Sequence, residues 1–598
     1  MSKGESRAAR RRSGIAAVIV LAIVSVFAVR LFDIQVVNAD SLRADAEKHG
    51  NFTGSAVLPG VRGSIIDSEG TVLAVSSVAY DAALDPALID GVTRIDDAGN
   101  KYVESWGRLA ERIGAIIDMS GAEVEKVADD ALAANADSRY VVLRKGLSTE
   151  QYRALADLDA PMLALSSEKT RTYPNGAVGG NLVGFLNVDE EPQEGYEQIE
   201  NACLESTDGR LTYQRSGDGG VKIPGTTKED PAPHDGGTLQ LTIDSDLSWY
   251  LLQMLKEEVE TQKAKAGSIM VVDVKTGEIK AAVDYPTLDP NDPAATDPED
   301  RGALALRRQF EPGSTFKAIT AATLLDVGAV TPLTEVQASG HEVFPNGAVV
   351  GDSFNHPVYN YTVAGALIDS SNVALSKLGE LVPDRTRYEY LKKFGVGEGS
   401  PIGYTYEPSG LISDPDGWDN QTHYATSFGQ GIAVTMQQVV GAYQAIANGG
   451  VKKPVHLVES CTSADGEVTT PELPEDQRVI KEETSKQVLD LLENVAVQGT
   501  NAKAIEIPGY RLGIKTGTAQ ISNGQGGYKA GVYFTSMIGV APVEDPRYVV
   551  MVSLDQPRRE TSSAANAPAF QKAMTHVLQY YRVPPSTEPF EPLPKFAE

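Results

Sequence analysis

Ser314 and Lys317 stand three apart in "QFEPGSTFKAIT", residues 309 to 320, directly after Pro312-Gly313. Either Ser314 is a nucleophile with Lys317 as its proton partner, or the stretch is only the polar start of a helix. A serine nucleophile needs a proton acceptor, donors for an oxyanion and a grip on its substrate. Residues three apart share a helix face, so Lys317 can lie beside Ser314. Pro312 and Gly313 suit a helix start, which places Ser314 in the first turn. There the positive end of the helix dipole stabilises a forming alkoxide and disfavours a charged lysine. That placement is useful, because a lysine acts as a base only when neutral. Ser-x-x-Lys alone does not decide: Ser166 and Lys169 in "SSEK" match it equally.

Two more short patterns supply the missing functions. Ser370-Ser371-Asn372 is a Ser-x-Asn, and Lys515-Thr516-Gly517 runs into Thr518-Ala519 in a stretch that reads as a strand. Each has a decoy, Ser353-Phe354-Asn355 for the first and Lys275-Thr276-Gly277 for the second. Context separates them. Lys275 precedes Ser314 and sits in a hairpin turn, Ser353 lies in a Pro/Asn-rich loop, and "SSEK" falls in a different domain. In order and in secondary structure, Ser314–Lys317, Ser370–Asn372 and Lys515–Thr518 together resemble the active-site serine penicillin-binding proteins and β-lactamases.

The elements that must position these residues follow from periodicity. Residues 1 to 13 carry Lys3, Arg7, Arg10, Arg11 and Arg12 against Glu5, and an uncharged apolar run fills 14 to 29. Extended to 32, with Arg30 reaching back to the interface, it is long enough to span a bilayer. The basic flank predicts a cytoplasmic N-terminus with the rest of the chain outside. The rival is a cleaved signal peptide, with "VFA", residues 26 to 28, as a weak site. Residues 61 to 76 read as strand, turn and strand with Gly70 in the turn, and 100 to 160 read as helical. The Pro/Gly-broken stretch 226 to 237 marks a domain boundary. After it come a strand, a helix capped by Asp244 or Asp246 and stopped at Gly267, and a hairpin over 268 to 283. Strands near the end of the chain, with helices between, predict one antiparallel sheet covered by helices. The stretch 586 to 598 reads as a disordered tail. A length of 598 residues suggests three or four domain-sized units.

The resemblance narrows along residues 30 to 580. "RLFDIQV", "RGSIIDSEGTVLA" and "RTYPNG" look like the N-terminal module of class B penicillin-binding proteins, and "SFGQGIAVT" and "AIANGG" like their catalytic domain. The opening of the module is most similar to the cell-division type. Gln198, Met436 and Ile514 depart from residues common in the family. The resemblance implies an α+β fold: a cytoplasmic tail (1–13), one transmembrane helix (14–32), an elongated pedestal or dimerisation-type domain (33–225), a linker (226–237), a transpeptidase domain (238–585) and a tail (586–598). It implies a peptidoglycan D,D-transpeptidase, inhibited by β-lactams, acting in septal wall synthesis from the outer side of the cell membrane. Its donor is a stem peptide ending in D-Ala-D-Ala. The implied catalytic residues are Ser314, Lys317, Ser370, Asn372 and Lys515, with Thr516, Gly517 and Thr518 binding substrate. No cofactor or metal is implied. The implied partners are a membrane-spanning glycan polymerase and other division proteins.

Other classes fit less well. A net charge of −28 opposes binding to nucleic acid. Cys203 and Cys461 have no metal-ligand spacing and are too few for a disulfide framework, so unpaired thiols are expected. A β-lactamase lacks the extra module and anchor. A D,D-carboxypeptidase differs only in letting water resolve the acyl-enzyme. A silent scaffold or drug sensor calls for large signalling parts, and none is visible.

Overall fold

The computed structural model describes residues 3–38, 53–95, 100–214 and 226–597. Parts of the pedestal segment, 39–52, 96–99 and 215–225, lie outside the described residues. Helix α1 (Lys3–Phe32) carries the apolar run, and the stretch long and apolar enough to cross a membrane is Gly14–Val37, 24 residues whose most apolar 18 have a mean hydropathy of 2.8. At about 1.5 Å per residue this exceeds the roughly 30 Å of a hydrocarbon core.

The chain divides into two compact units that it visits alternately. The first takes residues 1–61, 77–170 and 206–234; the second takes 62–76, 171–205 and 235–598. The longest segment of the second unit thus begins inside the predicted linker, and the unit also gathers two segments from the stretch expected to form the pedestal. In the first unit, helices Trp106–Ile117 and Gly121–Ala134 pack together over Leu109, Ile113, Ile117 and Val124, all fully buried. Ser120 and Glu123 form a reciprocal cap that starts the second of them. The stretch read as helical also holds a strand, Val141–Leu147.

The second unit is built on a five-stranded antiparallel sheet. Helix α2 (Ser245–Gln262) starts at an Asp244 cap, whose carboxylate accepts from the Leu247 N–H. Strands β1 (Ala266–Asp273) and β2 (Ile279–Tyr285) form the predicted hairpin, with Gly277 at φ +84° in its turn. Later in the chain come β3 (Gly513–Ser522), β4 (Tyr528–Ala541) and β5 (Tyr548–Asp555), and the sheet order is β2-β1-β5-β4-β3. Every residue of β1 and β5 is buried, which requires cover on both faces. Helix α3 (Lys317–Asp326), α4 (Asn372–Gly379), α5 (Met436–Ala447), α6 (Glu482–Gln498) and α7 (Ala567–Tyr580) complete the unit. Helices α2 and α7 pack on each other and on the sheet, α5 lies on β1 and β5, and α6 lies on β3.

Three expectations are corrected. Helix α2 stops at Lys263, which takes a left-handed φ of 52°, and not at Gly267. Gly267 lies in β1, where a Cβ would sit 2.7 Å from Val259 and 2.8 Å from Leu255, so its role is to let α2 close on the sheet. Cys203 and Cys461 are not free thiols: they form a disulfide across a sequence separation of 258 residues. The strand Thr238–Leu241 brings them together, since Gly237 N–H donates to the Cys203 carbonyl while Leu239 pairs with Cys461. The predicted disordered tail is docked at its far end. The Leu593 N–H donates to Asn494 on α6, and Phe596 pairs with Tyr361 in an antiparallel bridge.

Candidate active site

Ser314 sits in a 3-10 turn, Gly313–Phe316, and Lys317 opens α3 immediately after it. The α-helix therefore starts at the lysine and not, as the sequence suggests, before the serine, yet both remain on one continuous helical path. The turn is gripped from below. Gly313, at φ +53°, donates its N–H to the Gly429 carbonyl, and the buried Tyr443 hydroxyl donates to the Thr315 carbonyl at 2.7 Å. Gly429 has φ +81°, and a Cβ there would lie 2.1 Å from the Gly313 oxygen, so the "SFGQG" loop accepts only glycine at this contact.

Ser370 follows a short helix, Val363–Ile368, and takes a left-handed φ of 55°, an uncommon conformation for a residue with a side chain. Ser371 caps α4 through the Ala374 N–H, and Asn372 donates its side-chain amide to the Gly351 carbonyl at 2.8 Å. The residue that holds this motif is Asp352. Its carboxylate accepts from Ser371 Oγ (2.6 Å), Asn372 N–H (2.6 Å) and Val373 N–H (3.0 Å), and His356 Nε2 lies 2.9 Å away. Sequence reasoning missed Asp352, because nothing local ties an acid to a helix start some twenty residues later.

Lys515, Thr516, Gly517 and Thr518 lie on β3, at the edge of the sheet. A Cβ at Gly517 would stand 2.5 Å from Ser536 Oγ and 3.0 Å from Thr315 Cγ2. The glycine thus lets β3 lie flat against the turn that carries Ser314. Two lysines converge on one hydroxyl. Lys317 Nζ is 3.2 Å and Lys515 Nζ 3.0 Å from Ser370 Oγ, and Lys317 also donates to the Ser370 carbonyl. Both lysines are fully buried. Burial, reinforced by the neighbouring Lys515 charge and opposed by Asp352, holds the Lys317 ammonium well below the usual lysine range. Burial alone pulls Lys515 down to about 7. The arrangement can therefore keep a neutral amine beside a hydroxyl at ordinary pH, which suits proton transfer.

Ser314, Ser370, Thr516 and Thr518 line one cleft of about 570 Å³, together with Lys595 and Phe596. Thr518 Oγ1 accepts from the Ser563 N–H at 3.0 Å. The decoys separate as follows. Lys169 lies on a strand of the first unit, paired with Asp208 at 2.7 Å, and Lys275 sits in the β1–β2 turn near Asp545. Ser353, by contrast, belongs to the cleft wall.

The sequence pattern of the penicillin binding protein transpeptidase domain matches residues 267–575, and that of the penicillin-binding protein dimerisation domain matches 57–216. Penicillin-binding protein PbpB of Mycolicibacterium smegmatis is 33% identical over 607 residues, covering 98% of this chain and 92% of that protein. The peptidoglycan D,D-transpeptidase FtsI of Escherichia coli is 29% identical over 527 residues, covering 88% of this chain and 84% of that protein. The crystal structure of penicillin-binding protein 3 from Mycobacterium tuberculosis, complexed with aztreonam, superposes with a TM-score of 0.68 at 27% identity, covering 91% of this chain and all of that one. A shared domain pair, a shared fold and a relative matched over nearly its whole length lead to one conclusion: the chain belongs to the penicillin-binding proteins that carry a transpeptidase domain behind a dimerisation domain.

Proposed function

We propose that the protein is a septal peptidoglycan D,D-transpeptidase that works through an acyl-enzyme on Ser314. The observation that carries this reading is the convergence of two buried lysines on Ser370 Oγ, at 3.2 and 3.0 Å, in the cleft that Ser314 lines. In this reading neutral Lys317 takes the Ser314 proton as Oγ attacks the carbonyl between the two D-Ala residues of a donor stem peptide. Ser370, bonded to both lysines, passes a proton to the departing amine. Asn372 orients the donor amide, Thr516 and Thr518 hold its terminal carboxylate, and the N–H groups of Ser314 and Thr518 receive the oxyanion. The amine of a second stem then resolves the ester.

A β-lactam mimics that donor, and the similar protein from Mycobacterium tuberculosis has been crystallised with aztreonam. Intact-protein mass spectrometry after penicillin treatment therefore tests the assignment. One adduct is expected, absent in Ser314→Ala and retained in Ser166→Ala; an adduct that survives Ser314→Ala refutes it.

Two features support placing the catalytic unit on the outer side of the membrane. The basic residues cluster before the apolar helix, the arrangement of a cytoplasmic N-terminus. The Cys203–Cys461 disulfide suits an oxidising compartment. A cross-linking enzyme needs fresh glycan, so the natural partner in this reading is a membrane-spanning glycan polymerase, docked in part through the span. Its small residues, Ala16, Ala17, Ala22, Ser25 and Ala28, permit close helix packing. Replacing residues 14–32 with an unrelated span of equal length should abolish co-purification of polymerase activity and leave penicillin binding intact. Unchanged co-purification would reduce the span to a tether.

A further inference from the structure

The segment Leu593–Ala597 lies beyond the last helix, yet it is held residue by residue. Leu593 donates its N–H to Asn494 Oδ1 (2.8 Å) and accepts from Gln498 Nε2 (3.0 Å), both on α6. Thr362 Oγ1 donates to the Pro594 carbonyl (2.6 Å), Thr362 N–H to the Lys595 carbonyl (3.2 Å), and Ala597 N–H to the Asn360 carbonyl (2.9 Å). The receiving surface is cut to fit. A Cβ on Gly365 would lie 1.8 Å from the Lys595 oxygen. Gly365 has no left-handed φ to explain a glycine, so the space it leaves is filled by this segment.

The docked segment reaches the chemistry. Lys595 Nζ is paired with Asp369 Oδ1 at 2.6 Å, and Tyr361 hydroxyl donates to the other carboxylate oxygen at 3.0 Å. Phe596 stacks on Tyr361, with ring centroids 5.4 Å apart, and packs on Tyr359 at 5.1 Å. Asp369 immediately precedes Ser370, whose left-handed backbone aims Oγ at the two lysines. A left-handed residue with a side chain persists only where its surroundings over-determine it. Lys595 and Tyr361 supply that constraint on one side, and Asp352, through Ser371, supplies it on the other.

We propose that Leu593–Ala597 is a working wall of the active site, in which Lys595 positions Ser370 through Asp369 and Phe596 braces Tyr361 behind it. The inference rests on the acyl-transfer reading above, with Lys595 as a positioning residue that does not itself touch the reacting atoms. A misplaced proton relay slows bond formation more than it weakens binding, since alignment matters most at the transition state.

The test uses the full chain in detergent. Its readouts are the first-order acylation constant and the apparent dissociation constant for a chromogenic cephalosporin, with thermal unfolding measured in parallel. Removal of residues 593 onward and Lys595→Ala are each expected to lower the acylation constant at least about tenfold while the dissociation constant moves less than about threefold. Lys595→Arg, which keeps the charge toward Asp369, is expected to restore most of the rate. Should the shortened chain fail to fold, the Lys595 pair alone decides. A wild-type acylation constant in Lys595→Ala, or no recovery in Lys595→Arg, overturns the proposal. Failure of the underlying reading would look different, because the unaltered protein would then form no adduct at all.

Discussion

At the residue scale the site is marked by two buried lysines whose charged form burial disfavours. Lys515 falls from its ordinary 10.5 to about 7 on burial, so the folded chain binds fewer protons than the unfolded chain between those two values. Stability therefore rises with pH across that window and levels off below about 7, where both states carry the proton. Comparing the urea unfolding of wild type and Lys515→Met at pH 7 and pH 9 isolates this effect. The wild type should gain about 2 kcal/mol more than the variant over that interval. Equal gains would mean that Lys515 is solvated as an ordinary surface lysine. Asp352 accepts from three donors, Ser371 Oγ and the N–H groups of Asn372 and Val373, and so fixes the start of α4.

At the element scale the site is a contact between an edge strand and a helical turn. β3 approaches Gly313–Phe316 only because Gly517 has no side chain, with Ser536 Oγ and Thr315 Cγ2 already within 3.0 Å of where a Cβ would be. In Gly517→Ala the strand must retreat from the turn by a few tenths of an ångström to clear Thr315 Cγ2, while Ser536 Oγ on β4 swings aside. Lys515 and Thr518 would retreat with it, since they share the backbone of β3. Displacement on that scale is expected to cost acylation at least about tenfold. The sheet core, far from the edge, should hold the melting temperature within a few degrees. A stopped-flow penicillin titration of a folded Gly517→Ala protein measures this; a wild-type rate would show that the close approach is incidental. The same logic explains Gly429 and Gly365, whose missing side chains are occupied by Gly313 and Lys595.

At the scale of the whole molecule, the second unit is assembled from distant pieces of chain and tied by one covalent link. Cys203 and Cys461 close a loop of 258 residues. Cross-links of this kind stabilise by limiting the unfolded chain, and losing one costs about 2–5 kcal/mol. Cys203→Ser, Cys461→Ser and the double variant should therefore lower the melting temperature by similar amounts, because each removes the same bond. Acylation at room temperature should be retained, since neither cysteine lines the cleft. Additive losses in the double variant would indicate separate roles for the two residues. Buried ion pairs in the same unit, Glu197 with Arg62 and Arg171, join two of its early segments without a covalent bond.

What the amino-acid order settles by itself is local. The apolar run of α1, an acidic cap at Asp244 or Asp246 before α2, the Gly277 hairpin and the order of the three motifs are all written in neighbouring residues, because helix periodicity, capping and turn chemistry act over a few positions. Ser314, Lys317, Ser370 and Lys515 were legible for that reason, as members of short patterns in a fixed sequence. Tertiary structure alone decided the rest. The pairing of Cys203 with Cys461, the hold of Asp352 on Ser371, the inclusion of 62–76 and 171–205 in the catalytic unit and the docking of Lys595 beside Asp369 join residues far apart in the chain. Contacts of that kind arise from burial and shape complementarity between finished elements, and no local signal announces them. Even the central feature, two lysine side-chain nitrogens brought onto one serine hydroxyl, exists only once a helix, a loop and an edge strand have packed together.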